Sequence, residues 1–375
     1  MQIKAALLRQ TGLAHPYRDT RPLAIEKVAL AGPGRGEVLI RMKAAGLCHS
    51  DLSVIDGSRP RPMPMVLGHE AAGIVVEVGP DVSDLAVDDH VVLVFIPSCG
   101  QCLPCATGRP ALCEPGAKAN GAGTLLRGDR RLSLSCDAVN HHIGVSAFAD
   151  HAVVSRESCV KVDKSLAFDH AALFGCAVLT GVGAVVNTAK VPAGASVAVA
   201  GLGGVGLSAI LGAVACGARQ IIAVDLSEEK LAFARQLGAT HTVNAGTPDA
   251  VAAIKDLSGG GVEFFFEMAG AVPALELAYA ATARGGTTVT AGLPHPDRKL
   301  SIQAVSLVAE ERTLKGSYIG SCVPRRDLPH YVALFQNGRL PVDRLLTHRL
   351  KLDEINEGFD RLHDGSAIRQ VVLFD

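Results

Sequence analysis

The sequence predicts an α/β protein: a β-rich domain followed by a doubly wound sheet of six parallel strands. Three observations carry that prediction. Residues 3–96 break into short strand patterns punctuated by Gly and Pro, with little helical periodicity. From residue 196 onward strand and helix patterns alternate. The turn that opens this second region is Gly201-Leu202-Gly203-Gly204-Val205-Gly206, set between an apolar strand and a helix.

In the first region the strand patterns fall at 3–9, 37–44, 71–78 and 89–96. Residues 97–142 are the least regular part of the chain, rich in Cys, Gly and Pro, and a loop of that length needs a staple or a function. Cys99, Cys102, Cys105 and Cys113 supply a staple. Their C-x2-C-x2-C-x7-C spacing can close four thiolates around one ion with no open position, which describes a structural zinc in a lobe at about 97–115. An iron–sulfur cluster uses the same ligands. Disulfides are the plain alternative, disfavoured in a reducing compartment.

In the second region six strands are expected at 196–200, 220–225, 240–244, 262–268, 287–291 and 313–318. Ser227 suits a helix N-cap, Glu228 and Glu229 suit the positive helix start, and Gly238 suits its stop. The uncharged stretch 192–218 reads as strand, turn and buried helix because its period changes at the glycines. A lone GxGxxG could be a flexible loop. Here Asp225 ends the next strand at the distance a dinucleotide site requires. Backbone N–H groups of Gly201, Gly203, Gly204, Val205 and Gly206 can then approach a pyrophosphate. Asp225 can accept from both adenosine ribose hydroxyls and would repel a 2′-phosphate, which favours NAD over NADP. Lys230 is within reach of the same ribose or is a solvated helix charge. Beyond 318 the rhythm fades into helices at about 327–336 and 353–363 and a strand at 368–374.

The chemistry-bearing residues concentrate between 48 and 70. Cys48 and His69 are the soft thiolate and imidazole that zinc prefers, and Ser50, Asp51 and Glu70 flank them. Two ligands are too few, and Cys176, in Phe174-Gly175-Cys176-Ala177, is the best third. Three protein ligands would leave one position open for substrate. The plain alternatives are a small buried hydrophobe for each cysteine, the reading kept for Cys136, Cys159, Cys216 and Cys322, and a helix N-cap for Ser50. His141 and His142 read as structural loop residues.

A net charge of −1 and pI near 6.9 imply no attraction to nucleic acid or anionic membrane. Met1-Gln2-Ile3-Lys4 runs straight into a strand pattern, so no signal peptide is expected. Ten cysteines without a secretory signal point to a reducing cytoplasm.

These features together resemble the zinc-dependent medium-chain alcohol dehydrogenases over nearly the whole chain. The likeness rests on Gly68-His69-Glu70, the four-cysteine lobe, Gly201–Gly206 with Asp225, and Ile368-Arg369-Gln370-Val371-Val372-Leu373-Phe374. The 121–132 segment, His141-His142 and Ile355-Asn356-Glu357-Gly358-Phe359 are most similar to the longer, liver-type branch. The resemblance implies a GroES-like catalytic domain at 1–178, a Rossmann domain at 179–318, and a segment at 319–375 that returns to the catalytic domain. It assigns Cys48, His69 and Cys176 to a catalytic zinc, with Glu70 close behind the metal and Asp51 holding His69. It places His49 and Arg369 on the coenzyme pyrophosphate, Thr180 and Val205 against the nicotinamide, and Arg59 and Phe95 on the substrate pocket.

The implied activity is reversible hydride transfer from an alcohol to NAD, with two zinc ions per chain and Ser50 relaying the proton. Alternatives are a polyol or aldehyde-adduct dehydrogenase of the same fold, or a non-catalytic NAD(H)- and zinc-binding redox sensor. A homo-oligomer is implied, a dimer before a tetramer. Two departures stand out. Ser53 occupies the position where liver-type members carry a relay histidine. The arginine and acid that hold a glutathione adduct are missing as a pair, with Arg59 where the acid would be.

Overall fold

The computed structural model describes all 375 residues and divides into two units. The first comprises Met1–Cys176, Val323–Val332 and Asp343–Asp375, and the second comprises Ala177–Cys322 and Ala333–Val342. Residues 177–178, 319–322 and 333–342 therefore fall in the second unit, where the sequence assigns 1–178 and 319–375 to the first.

In the first unit, strands Gln2–Leu8, Leu23–Leu30, Leu132–Leu134, Asp137–His141 and Met65–Val66 close into a small barrel. Its core is filled by Ile3, Leu7, Val28, Leu39, Val66, Val139 and Val153. Only the first of these five strands is visible as a pattern in the sequence. Leu23–Leu30 carries Glu26-Lys27 mid-strand and becomes a strand by pairing along its whole length with Gln2–Leu8.

A seven-stranded sheet positions the chemistry. Glu37–Gly46 lies at its centre, between Glu70–Val78 on one side and Arg369–Leu373 on the other. Gly46 pairs with both Glu70 and Val371. Three strands thus end together where the chain carries Cys48, His69-Glu70 and Arg369. The expected strand at 368–374 is present as Arg369–Leu373.

The irregular 97–142 segment contains a helix, Glu114–Ala122, and the two barrel strands already described. His141 is fully buried there, and its Nε2 accepts the Arg131 N–H at 3.1 Å. Burial, with Arg130 and Arg131 nearby, pushes its pKa down to about 3. The unfolded chain binds that proton near pH 6.5, so this group's contribution to stability is complete above that pH and declines toward pH 3. Chemical-denaturation midpoints of wild type should fall across this window, with a flatter acid limb in His141→Gln. Parallel acid limbs would remove His141 from the account.

The second unit is a six-stranded parallel sheet in the order His241–Asn244, Gln220–Asp225, Ser196–Ala200, Val262–Glu267, Thr282–Thr290, Thr313–Gly316. Numbered along the unit this is 3-2-1-4-5-6, the doubly wound order that switches direction at its first strand. Ser196–Ala200 is buried at every residue, as a strand covered on both faces should be. Ser227 caps the helix Glu228–Gln236 by accepting from the Lys230 N–H.

The helical run Phe168–Ala189 is apolar and long enough to cross a membrane, but 83% of its most apolar window is buried inside the fold. It is a core helix by that measure. Its turns at Phe174–Val178 and Ala184–Ala189 are π-helical.

Candidate active site

Cys48, two residues beyond the end of the central strand, is the N-cap of the short helix His49–Ile55. Ser50 lies in the first turn of that helix and is half-buried, so the cap belongs to Cys48 and not to Ser50. His69 immediately precedes the strand Glu70–Val78. Cys176 lies in the π turn Phe174–Val178, a local insertion of the kind that recurs at functional sites. The ligand atoms of Cys48, His69 and Cys176 all lie within 4.8 Å of one another, and all three residues are buried.

Partners fix the imidazole. His69 Nδ1 is 3.1 Å from both carboxylate oxygens of Asp51. Asp51 is fully buried and also accepts the Gly68 N–H at 3.0 Å. This fixes Nδ1–H as the donor to Asp51 and makes Nε2 the ring nitrogen available to a metal. That Nε2 is buried and has no protein hydrogen-bond partner. Phe95 packs edge-on against the His69 ring at 5.3 Å and is itself buried.

His142 is a residue the sequence reading passed over as structural. It is buried, with Nδ1 3.1 Å from Asp51 Oδ1, though out of line for a well-formed hydrogen bond. It packs against the carboxylate that braces His69 and helps keep that carboxylate ionised. Nothing in a His141-His142 pair within a loop announces that role.

The buried donors set one another's protonation. A hydrogen bond from Cys176 pulls the Cys48 thiol well below its ordinary value, against burial and with help from His69 and Arg369. Cys176 is pushed well up by holding that shared proton and by burial. Burial opposes charge on His69, but Asp51 and the Cys48 thiolate outweigh it and hold its pKa well above the usual range. Burial raises Asp51 too, and the His69 and His142 imidazoles reverse that and keep it ionised. One proton shared by the two sulfurs and one on the imidazole are what a dication would displace, and two sulfurs and an imidazole fit zinc in donor type and number.

Behind these groups, Glu70 and Arg369 are both buried and joined through Glu70 Oε1 and Arg369 Nη2. Burial lifts Glu70 to about 6 against the pull of Arg369. Gly46 makes the room: a Cβ there would stand 2.4 Å from Glu70 Oε1. Arg369 Nε has no protein partner. Arg59 is half-buried, its N–H bonded to the Ser53 carbonyl. His49 is exposed and Ser53 half-buried.

Cys99, Cys102, Cys105 and Cys113 likewise converge within 4.8 Å, and none of the ten cysteines is in a disulfide. Backbone N–H groups of Cys99 and Gly116 point at Cys113 Sγ at 3.2 and 3.4 Å, and that of Cys102 points at Cys99 Sγ at 3.4 Å. Such donors stabilise thiolates around an ion. Cys105→Ser should lower the zinc content from two to one per chain and the melting temperature by more than about 5 °C. Unchanged metal content, read by elemental analysis, would contradict a metal-closed lobe.

In the second unit the Gly201–Gly206 turn follows Ser196–Ala200 and leads into the helix Gly204–Ala215. A Cβ at Gly206 would come within 1.8 Å of the Gly201 carbonyl oxygen, so only glycine lets the turn close. Asp225 is anchored by the Leu202 N–H at 2.6 Å and the Ser227 N–H at 3.0 Å. It lines an apolar pocket of about 380 Å³ with Gly201, Val224, Ala269, Pro273 and Leu277. Lys230 is half-buried in the first turn of the next helix. Thr180 and Val205 belong to this unit, Thr180 buried and Val205 half-buried.

A doubly wound sheet with a closed glycine turn, together with a buried two-thiol, one-imidazole pocket, defines a metal- and dinucleotide-dependent oxidoreductase. Comparison with known proteins gives the family. Residues 34–164 match the alcohol dehydrogenase GroES-like domain, and residues 204–337 match the zinc-binding dehydrogenase domain. The chain is 36% identical to an S-(hydroxymethyl)glutathione dehydrogenase of Paracoccus denitrificans, covering 100% of both chains. It is 37% identical to an alcohol dehydrogenase class-3 of Cereibacter sphaeroides, again over 100% of both. The solved benzyl alcohol dehydrogenase of Acinetobacter calcoaceticus superposes with a TM-score of 0.93 at 35% identity, covering 100% of each chain. The chain belongs to the zinc-dependent medium-chain alcohol dehydrogenases. It is an oxidoreductase of that family, using zinc and NAD.

Proposed function

We propose that Cys48, His69 and Cys176 hold the zinc at which an alcohol reacts, and that the four-cysteine lobe holds a second zinc that only shapes the fold. The observation that carries this is His69: buried, locked by Asp51, with Nε2 offered to no protein group. Zinc there would supply Lewis acidity that lowers a hydroxyl pKa, and NAD would accept the hydride.

The protein's own groups do the rest. Asp51, steadied by His142, keeps the imidazole in one tautomer. Phe95 walls the pocket beside His69 and Arg59 flanks it. Ser50 takes the substrate hydroxyl proton and passes it outward. Ser53 cannot act as a base, so the proton leaves through the coenzyme ribose and water. Glu70 neutralises one arm of Arg369, whose remaining donors join His49 on the pyrophosphate. The Gly201, Gly203, Gly204, Val205 and Gly206 backbone meets the same phosphates, Asp225 and Lys230 hold the adenosine ribose, and Thr180 and Val205 pack on the nicotinamide.

The substrate is a small alcohol, oxidised reversibly to an aldehyde or ketone. A polyol or aldehyde-adduct substrate is the second reading, favoured by the S-(hydroxymethyl)glutathione dehydrogenase relative. An NADH-linked screen of primary, secondary and aromatic alcohols, a polyol and S-hydroxymethylglutathione decides between them. Free alcohols should turn over, and Arg59→Ala should leave their kcat/KM within about threefold. Turnover confined to the anionic adduct and lost in Arg59→Ala would establish the second reading.

The protein acts as a cytoplasmic homodimer. Its last parallel strand, Thr313–Gly316, is a sheet edge, and Val305 and Val308 in the segment before it are 62% and 82% exposed. Light scattering reads that mass directly.

A further inference from the structure

The first unit carries a third cluster of metal-ligating side chains, remote in sequence from both cysteine sets. His15 lies just before the short helix Tyr17–Thr20, and His363 and Asp364 end the helix Ile355–His363. One ligand atom from each of His15, His363 and Asp364 lies within 4.8 Å of the others, and all three residues are exposed.

The donors are held in place. The His15 and His363 rings stack at 4.3 Å with 21° between planes, and both meet the buried Tyr17 ring edge-on, at 5.5 and 6.1 Å. Asp360, one turn back along the helix, is buried. It accepts the Tyr17 and Arg18 N–H groups at 2.5 and 3.0 Å, which ties the N-terminal arm to the C-terminal helix. His15 Nε2 stands 3.2 Å from Asp360 Oδ1 and 3.5 Å from Asp364 Oδ1.

Those separations have a metric meaning. With zinc–nitrogen and zinc–oxygen bonds of about 2.0–2.2 Å, the edge of a coordination tetrahedron is about 3.3–3.6 Å. His15 Nε2 is close to that spacing from two carboxylate oxygens, and the exposed His363 ring, stacked on His15, must swing out of the stack for its in-plane lone pair to reach the same ion. Two imidazoles select zinc, nickel or copper over magnesium or calcium.

We infer that His15, His363 and Asp364, with Asp360 beside them, form a surface site for a borderline divalent cation such as zinc, separate from the two cysteine sites. Bound metal links the N-terminal arm to the last helix of the catalytic unit. Hydrogen bonds from a protonated His15 to Asp360 and Asp364 would use the same geometry without metal, and the test separates the two.

Untagged holoenzyme containing its two zinc ions is titrated with zinc chloride by calorimetry, with magnesium chloride as control. The expected result is a third zinc equivalent of micromolar affinity, with no binding of magnesium. His363→Ala and Asp364→Asn should each weaken the third equivalent by about tenfold or more while retaining the first two and alcohol turnover. In a second readout, added zinc should raise the melting temperature of wild type and not of either variant. No third equivalent in wild type, or unchanged third-site affinity in both variants, overturns the site.

Discussion

His69→Ala is expected to lower alcohol turnover by more than about a thousandfold. It should also drop zinc from two ions to one per chain and leave NADH affinity within about threefold of wild type. The size follows from what the substitution removes. Loss of one preorganised donor to a developing charge costs about 10²–10³ in rate, and His69→Ala opens a metal site that has only three protein donors. It also strands Asp51, a buried carboxylate whose charge is held by His69 and His142. Asp51→Asn should act in the same direction but more weakly, since His69 keeps Nε2 while its tautomer is less well fixed. Full turnover in His69→Ala would remove this metal from the chemistry.

Asp225→Gly should move coenzyme preference from NAD toward NADP by about 10- to 150-fold. Hydrogen bonds to a charged group are worth about 1.5–3 kcal/mol, which converts to that range. The carboxylate is fixed by the Leu202 and Ser227 N–H groups, so its charge stands at a defined place beside the Gly201 turn. The same bonds brace the turn, and the variant will bind both coenzymes somewhat less well. The ratio of kcat/KM values for NAD and NADP is therefore the readout, because it cancels that common loss. An unchanged ratio would mean that another residue reads the ribose.

The parallel sheet was legible because its signals are local and redundant: an uncharged strand, a glycine turn, an acid at the next strand end, and an N-cap at Ser227. The barrel was not. Met65–Val66 and Leu132–Leu134 are too short to carry a period, and partners far away in sequence decide their conformation. Within the site, Cys48 and His69 stand close in sequence among polar residues, so their chemistry reads directly. Cys176 sits in an apolar helix where a core residue is the plain reading; its place just before the nucleotide-binding unit makes it a candidate, and the family resemblance assigns it to the metal. His142 gave no signal at all, because its role depends on a carboxylate 91 positions earlier in the chain. The Glu70–Arg369 pair is likewise a product of strand order, with Gly46 between them.

Anomalous diffraction at the zinc edge from crystals of active enzyme tests the central claim most directly. The predicted result is two peaks per chain, one within bonding distance of Cys48 Sγ, His69 Nε2 and Cys176 Sγ, the other among Cys99, Cys102, Cys105 and Cys113. A catalytically competent crystal with no peak at the first position would contradict it.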